Sequence, residues 1–192
     1  MAELHPTLGI FASDRGPGDA ERSSIMTQAG SYFARKGAKI VCLGDDDTLP
    51  VPLLTSARAA GGQVAIIADL AFHGPTTLTG FPIERLATPE ERLQRLALLS
   101  DVYVALPGSL ASASGLFMTW ARGGGGEGRK PVVFYDRNGA FRVLRGYTAD
   151  IVANSVKRHD LLVQFADSIE DTWGKIAWLI DNDATAMAKR GG

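Results

Sequence analysis

Three absences narrow the function before any motif is considered. The 192-residue chain has a single cysteine, Cys42, which excludes an intramolecular disulfide and a cysteine-rich zinc site. Its formal net charge is -1 at pH 7, so it has no basic excess to hold nucleic acid or an anionic membrane. No apolar run approaches the roughly 20 residues of a membrane span, and the opening MAELHPTLG lacks the pattern of a targeting signal. These absences predict a soluble protein of the cytoplasm.

What the sequence does contain is an alternation of short β-branched runs and longer amphipathic stretches. With 45% hydrophobic residues the chain can bury one core, which predicts a single domain over residues 1–180 and a polar tail over 181–192. Predicted strands cover residues 8–12, 39–43, 63–67, 101–106, 130–136 and 161–165. Predicted helices cover residues 20–36, 53–60, 112–122 and 149–158, and two more begin at Pro89 and near Ile169. The pattern predicts an α/β fold, a Rossmann-like doubly wound parallel sheet flanked by helices on both faces.

The segments that follow predicted strands are the candidate ligand sites, because open parallel sheets bind ligands at the carboxyl ends of their strands. The stretch ALPGSLASASG, residues 105–115, leaves a strand through Pro107 and Gly108 and enters a helix. Such a turn presents backbone N–H groups at the positive end of a helix dipole, where a phosphate can bind. Taken alone, small residues at this place are more typical of a structural helix cap. A long loop predicted over residues 68–88 is positioned to cover the site.

In its context the stretch resembles the signature P-G-G-x-G-T-x-x-E of the Lonely Guy (LOG) family, a Rossmann-like family long described as lysine decarboxylase-like. Pro107 and Gly108 match the first two positions. The other signature positions all differ, with serine or alanine at two glycines, serine at the threonine and glycine at the glutamate: Ser109, Ala111, Ser112 and Gly115. The same register places the family's helical arginine at Arg92, although Leu93 stands where the family usually has lysine.

The resemblance implies a homodimer that binds a nucleoside monophosphate and, in active members, hydrolyses the base–ribose bond of cytokinin nucleotides. No cofactor is required; an AMP-like nucleotide is the implied bound ligand. The implied binding residues come from three post-strand turns and the family arginine: Ala12, Ser13, Asp14, Gly44, Asp45, Arg92, Pro107, Gly108, Ser109, Leu110, Ala111 and Ser112.

The family's chemistry transfers less well than its pocket. Cleaving an N-glycosidic bond develops positive charge on the sugar, which a carboxylate stabilises while it orients water. Gly115 cannot supply that carboxylate, so the catalytic residues stay unassigned, with Arg92 and Asp14 as weak candidates. The acidic run Asp45, Asp46 and Asp47 is compatible with a solvated turn, with a group that binds ribose hydroxyls, or with a hard-cation site. No metal site is assigned.

Three functions remain open at this stage. The favoured one is a binding protein for a nucleotide or a related small anionic ligand, with the hydrolase chemistry lost or altered. The second is a divergent phosphoribohydrolase in which Asp14 or the acidic run supplies the carboxylate. The third is a carrier that resembles the molybdenum-cofactor carrier proteins, which share this fold and bind an anionic pterin. Each takes a small-molecule ligand, and none involves nucleic acid or a membrane.

Overall fold

The computed structural model describes residues 5–13, 19–45, 49–121, 130–152, 154 and 161–190. Its centre is a sheet of seven strands in which every neighbouring pair runs parallel. The strands are β1 (Thr7–Phe11), β2 (Lys39–Gly44), β3 (Gln63–Ala68), β4 (Ile83–Arg85), β5 (Val102–Ala105), β6 (Val132–Tyr135) and β7 (Val163–Ala166). This architecture confirms the predicted Rossmann-like α/β fold.

The strand order shows where the chain direction changes across the sheet. The order is β4-β3-β2-β1-β5-β6-β7, so the chain builds outward from β1 to one edge and then returns to build from β5 to the other. The chain direction therefore diverges between β1 and β5, which lie side by side with Phe11 opposite Ala105. In open parallel sheets the crevice at such a point is where ligands bind.

Helices cover both faces of the sheet. They are α1 (Asp19–Arg35), α2 (Val51–Ala59), α3 (Pro89–Leu99), α4 (Leu110–Ala121), α5 (Arg142–Tyr147) and α6 (Ile169–Arg190). Alternate strand residues separate two buried clusters, since Ile40 and Cys42 pack with α1, α2 and α6 while Val41 and Leu43 pack with α3, α4 and α5. No helix among the described residues has the length and apolar character that a membrane crossing needs.

Helix α3 begins at the residue that the sequence predicts. The cap at its start positions Arg92, the residue that the LOG resemblance matches to the family's helical arginine. Thr88 Oγ1 accepts the N–H of Glu91 at 3.2 Å, and the Glu91 carboxylate accepts the N–H of Thr88 at 3.0 Å. Pro89 occupies the first helical position, where its missing N–H costs nothing. Arg92 follows directly in the first turns of this capped helix.

Several predicted boundaries differ from the structure. The predicted loop 68–88 contains strand β4 at Ile83–Arg85, whose three residues are too few to show an alternating pattern. The helix predicted at 149–158 overlaps a π-helical turn at Thr148–Val152, which follows directly on α5 (Arg142–Tyr147), and residues 153 and 155–160 lie outside the described residues. Helix α4 begins two residues before the predicted start, and α6 continues to Arg190 through residues assigned to the polar tail.

Candidate functional site

The 107–112 turn closes the crevice between β1 and β5. A Cβ on Gly108 would lie 3.0 Å from the backbone nitrogen of Ser13 and 3.3 Å from the carbonyl carbon of Ala12, and it would overlap Ser112 Oγ. Only a residue without a side chain lets the turn approach β1 this closely. Ala12 and Ser13 are both buried under the turn, so the structure brings these predicted residues together as the floor of the crevice.

Two serines hold the turn in shape. Ser109 Oγ accepts the N–H of Ser112 at 3.2 Å, and the Ser112 hydroxyl donates to the carbonyl oxygen of Ser109 at 2.9 Å. The pair therefore acts as a cap on α4. The backbone amides of Leu110 and Ala111, at the start of the same helix, have no intrahelical acceptor. Capping and anion binding are compatible here, because the cap uses a different amide.

A cavity of about 760 Å³ lies against this turn, between α4 and the segment 139–148. The volume falls within the range of small-molecule sites. Its walls are mainly aromatic and aliphatic, formed by Phe11, Leu116, Phe117, Phe134, Phe141, Val143, Leu144 and Tyr147. Its polar parts are the turn residues Gly108, Ser109 and Ser112, the hydroxyl residue Thr148 and two arginines, Arg22 and Arg142. Such a cavity suits a ligand with an anionic end and a largely apolar body.

Asp136 holds the far wall of the cavity in place. Its buried carboxylate, just after β6, accepts the N–H of Phe141 at 2.6 Å and Nε of Arg145 at 2.8 Å. The Arg145 guanidinium also lies over the Phe165 ring, 4.6 Å from its centroid. Sequence reasoning missed this wall. The signal was available, since Asp136 is the last residue of the predicted strand 130–136 and so lies at the same edge as the other turns.

Arg92 lies at the same edge of the sheet but beside β2 and outside the cavity lining. Its Nη1 donates to Oδ1 of Asp45 in an ion pair, with the two side chains 13% and 38% exposed. Its Nε is buried and has no hydrogen-bond partner among the described residues. The predicted site therefore divides into two groups, the 107–112 turn with its cavity and the Arg92–Asp45 pair that follows Gly44.

Gly115, at the position of the family glutamate, faces an apolar environment. A Cβ there would lie 3.7 Å from the Phe11 ring and 3.8 Å from Leu43, at ordinary contact distances. Asp45 follows Leu43 by two residues in the chain. The carboxylate next to the family arginine thus comes from the end of β2, whereas the signature places one on the helix.

The remaining candidates are settled in part. Asp14, Asp46 and Asp47 lie outside the described residues. Within the part of the chain that the structure describes, no three histidine, cysteine or acidic side chains are grouped as metal ligands would be. Arg95, three residues after Arg92, forms a half-exposed ion pair with Glu84 at 2.9 Å.

Cys42 is a core residue and not a nucleophile. Burial raises the pKa of its thiol to about 12, and the negative charge of Asp45 adds to the rise. A thiol with so high a pKa stays protonated near neutral pH, and it is the thiolate that reacts. Tyr103 is affected in the same way, because burial raises the pKa of its phenol to about 12. Its hydroxyl is buried without a hydrogen-bond partner among the described residues.

Comparisons with known proteins agree with this architecture. No family model matches the chain. The cytokinin riboside 5'-monophosphate phosphoribohydrolase of Mycobacterium tuberculosis is 29% identical over 150 residues, which cover 73% of this chain and 76% of that protein. The molybdenum cofactor carrier protein of Chlamydomonas reinhardtii superposes with a TM-score of 0.66 at 16% identity, covering 93% of this chain and 99% of that one. The molybdenum cofactor binding protein of Rippkaea orientalis has a TM-score of 0.68 at 17% identity, with the same coverage.

Proposed function

Because the chain resembles the LOG family and is 29% identical over 150 residues to a cytokinin riboside 5'-monophosphate phosphoribohydrolase, we propose that it binds a small anionic molecule of the nucleoside monophosphate type in the 760 Å³ cavity. One observation carries the proposal: the 107–112 turn, at the β1–β5 crevice, forms one end of that cavity. The anionic end of the ligand lies against the start of α4, and the base lies against the aromatic walls. Arg22 and Arg142 supply positive charge along the lining.

The hydrolase chemistry of the relative is absent or altered in this chain. The helical carboxylate that the signature places next to the scissile bond is replaced by Gly115, and the surroundings of that position are apolar. An apolar wall without a carboxylate neither orients a water molecule nor stabilises positive charge on the sugar. Binding without base release is therefore the favoured function.

A second candidate function, hydrolysis of the base–ribose bond, is supported by the pair between Asp45 and Arg92. This carboxylate is partly exposed at the ligand-binding edge and lies beside the family arginine. In this alternative, Asp45 orients the attacking water from the end of β2 in place of a group on α4. The carrier alternative rests on the likeness of fold to the molybdenum cofactor proteins alone.

The two functions are separated by one experiment with AMP and isopentenyladenosine monophosphate. The melting temperature is measured across a titration, and free base is measured by chromatography after incubation. We expect a saturable rise in melting temperature, worth about 2.7 kcal/mol at a ligand concentration 100 times Kd, and no free base. Base release that Asp45→Asn abolishes would instead establish the second candidate. If AMP and isopentenyladenosine monophosphate neither bind nor release free base, both candidate functions are contradicted.

We also propose that the protein is a homodimer that pairs through the face formed by α3, α4 and α5. Large apolar side chains are exposed on all three helices: Leu98, Phe117, Met118, Val143 and Tyr147. Three of them also border the cavity, so a second copy would cover its open side. Apolar patches of this kind on otherwise polar surfaces mark association sites.

The dimer is tested by light scattering with two matched leucine variants. The wild type is expected at twice the chain mass of 20.4 kDa. Leu98→Asp, at a site 68% exposed on the proposed interface, is expected to shift the mass to that of one chain. Leu70→Asp, at a site 66% exposed outside it, is expected to leave the dimer intact. A monomeric wild type, or equal behaviour of the two variants, would contradict the interface.

A further inference from the structure

A second cavity, of about 220 Å³, lies where α1, the end of β6 and the start of α6 meet. It is on the face of the sheet opposite the first cavity, since Tyr135 packs in the cluster of α1, α2 and α6. This volume is below the roughly 300 Å³ at which drug-sized pockets begin. A ligand confined to this space is therefore a small ion or one end of a larger molecule.

Tyr135 provides a buried polar group that opens onto this cavity. The residue is 2% exposed and lines the cavity wall. Its hydroxyl has no hydrogen-bond partner among the described residues. Unlike Arg92 Nε and the Tyr103 hydroxyl, which are unpaired and inaccessible to solvent, the Tyr135 hydroxyl keeps some accessible surface. Buried polar groups in folded proteins are almost always paired with protein, water or ligand. The cavity is the place from which this hydroxyl can take a partner.

Two arginines give the cavity its positive charge. Arg35, in the last turn of α1, and Arg137, just after β6, both line it. Neither guanidinium has an ion-pair partner in the described part of the chain, unlike Arg92, Arg95 and Arg145, which pair with carboxylates. The one acid on the wall is Glu170, so the described lining carries a net positive charge. Paired guanidinium groups bind phosphate oxygens well because their N–H groups are arranged as forks.

The start of α6 adds backbone donors on the same wall. Ser168 caps the helix, its Oγ accepting the N–H of Asp171 at 3.0 Å, and Ile169 and Glu170 follow it along the cavity lining. The first amides of a helix have no intrahelical acceptor, and the dipole of a 22-residue helix favours an anion at this end. Tyr135, the two exposed arginines and the start of α6 thus line one small space.

We propose that this second cavity binds an oxyanion of phosphate size, either inorganic phosphate or the phosphoryl group of a phosphomonoester. The proposal is independent of the function of the first cavity, because it uses different residues on the other face of the sheet. Arg35 and Arg137 provide the charge, and Tyr135 donates the hydrogen bond that sets the depth of the anion.

The test is a calorimetric titration of the full chain with inorganic phosphate in phosphate-free buffer. We expect saturable binding that Arg35→Gln with Arg137→Gln weakens at least tenfold and that Tyr135→Phe also weakens. Lys39→Gln removes one positive charge at the start of β2, outside the cavity lining, and is expected to bind as the wild type does. Absence of saturable binding, or equal binding by the double arginine variant and the wild type, would overturn the proposal.

Two further arms locate the anion and identify its source. If phosphate occupies this cavity, Ser109→Ala in the 107–112 turn retains the binding, whereas loss of binding in that variant would place the phosphate at the first cavity and overturn the proposal. Titration with glycerol 3-phosphate then compares a phosphomonoester with the free ion. Tighter binding of the monoester identifies a metabolite phosphoryl group as the ligand, and tighter binding of inorganic phosphate identifies the ion, either result being consistent with the oxyanion site.

Discussion

Gly108→Ala is expected to weaken AMP binding at least tenfold, which corresponds to about 1.4 kcal/mol. The added Cβ overlaps Ser112 Oγ and lies 3.0 Å from the Ser13 nitrogen, so the turn must move away from β1. Ser112 cannot simply rotate, because it is buried and its hydroxyl is bonded to Ser109. The movement displaces the amides at the start of α4 from the anionic end of the ligand. Isothermal titration measures the effect.

A matched substitution controls for the alanine itself. Gly146 lies in α5, near the cavity but outside its lining, and a Cβ there meets nothing within 4 Å. Gly146→Ala is therefore expected to bind AMP as the wild type does. If the two alanine variants bind AMP equally well, the 107–112 turn does not hold the ligand.

Gly30→Ala is expected to lower the free energy of unfolding by about 2–3 kcal/mol, as overpacking of a close contact does. Helices α1 and α2 cross at this glycine. A Cβ there would overlap the carbonyl oxygen of Leu53 and the hydroxyl of Ser56, and it would lie 3.0 Å from the Leu53 carbonyl carbon. Because two of these atoms belong to the backbone, the helices must separate. The expected fall in melting temperature is roughly 4–12 °C for a chain of this size.

Gly174→Ala is expected to raise the free energy of unfolding, the opposite of the effect of Gly30→Ala. Gly174 is exposed in α6, and a Cβ there meets nothing within 4 Å. Alanine at such a position stabilises a helix by about 0.5–1 kcal/mol, because glycine loses more backbone freedom on folding. Chemical denaturation of both variants is therefore expected to move the midpoint in opposite directions. A Gly30→Ala variant as stable as Gly174→Ala would show that α1 and α2 do not cross this closely in solution.

The fold was predictable because its signals are local. Each buried strand is a short β-branched run, each long helix has a regular apolar stripe, and the Thr88 cap follows a known sequence pattern. Strand β4 and helix α5 were not predictable in this way. Strand β4 has three residues, and α5 is positioned by Asp136, which contacts residues five and nine positions later through its side chain. Such contacts leave no periodicity in the sequence.

In the candidate site, the 107–112 turn was predictable from the sequence, but the ion pair between Arg92 and Asp45 was not. The rule that ligands bind at strand ends led to residues 107–112, and the family register led to Arg92. The partner of Arg92 is Asp45, 47 positions away in the chain, and no local pattern connects the two. The cavity itself escaped prediction because its far wall is formed by Phe141 and Leu144, which the sequence analysis left unassigned.

A crystal structure with AMP tests whether an anionic ligand binds in the first cavity with its charged end at the 107–112 turn. We expect density for the phosphate within hydrogen-bonding distance of Ser109 or the first amides of α4, and density for the base between α4 and α5. A nucleotide bound instead beside Asp45 and Arg92, or a cavity that stays empty at saturating AMP, would contradict this expectation.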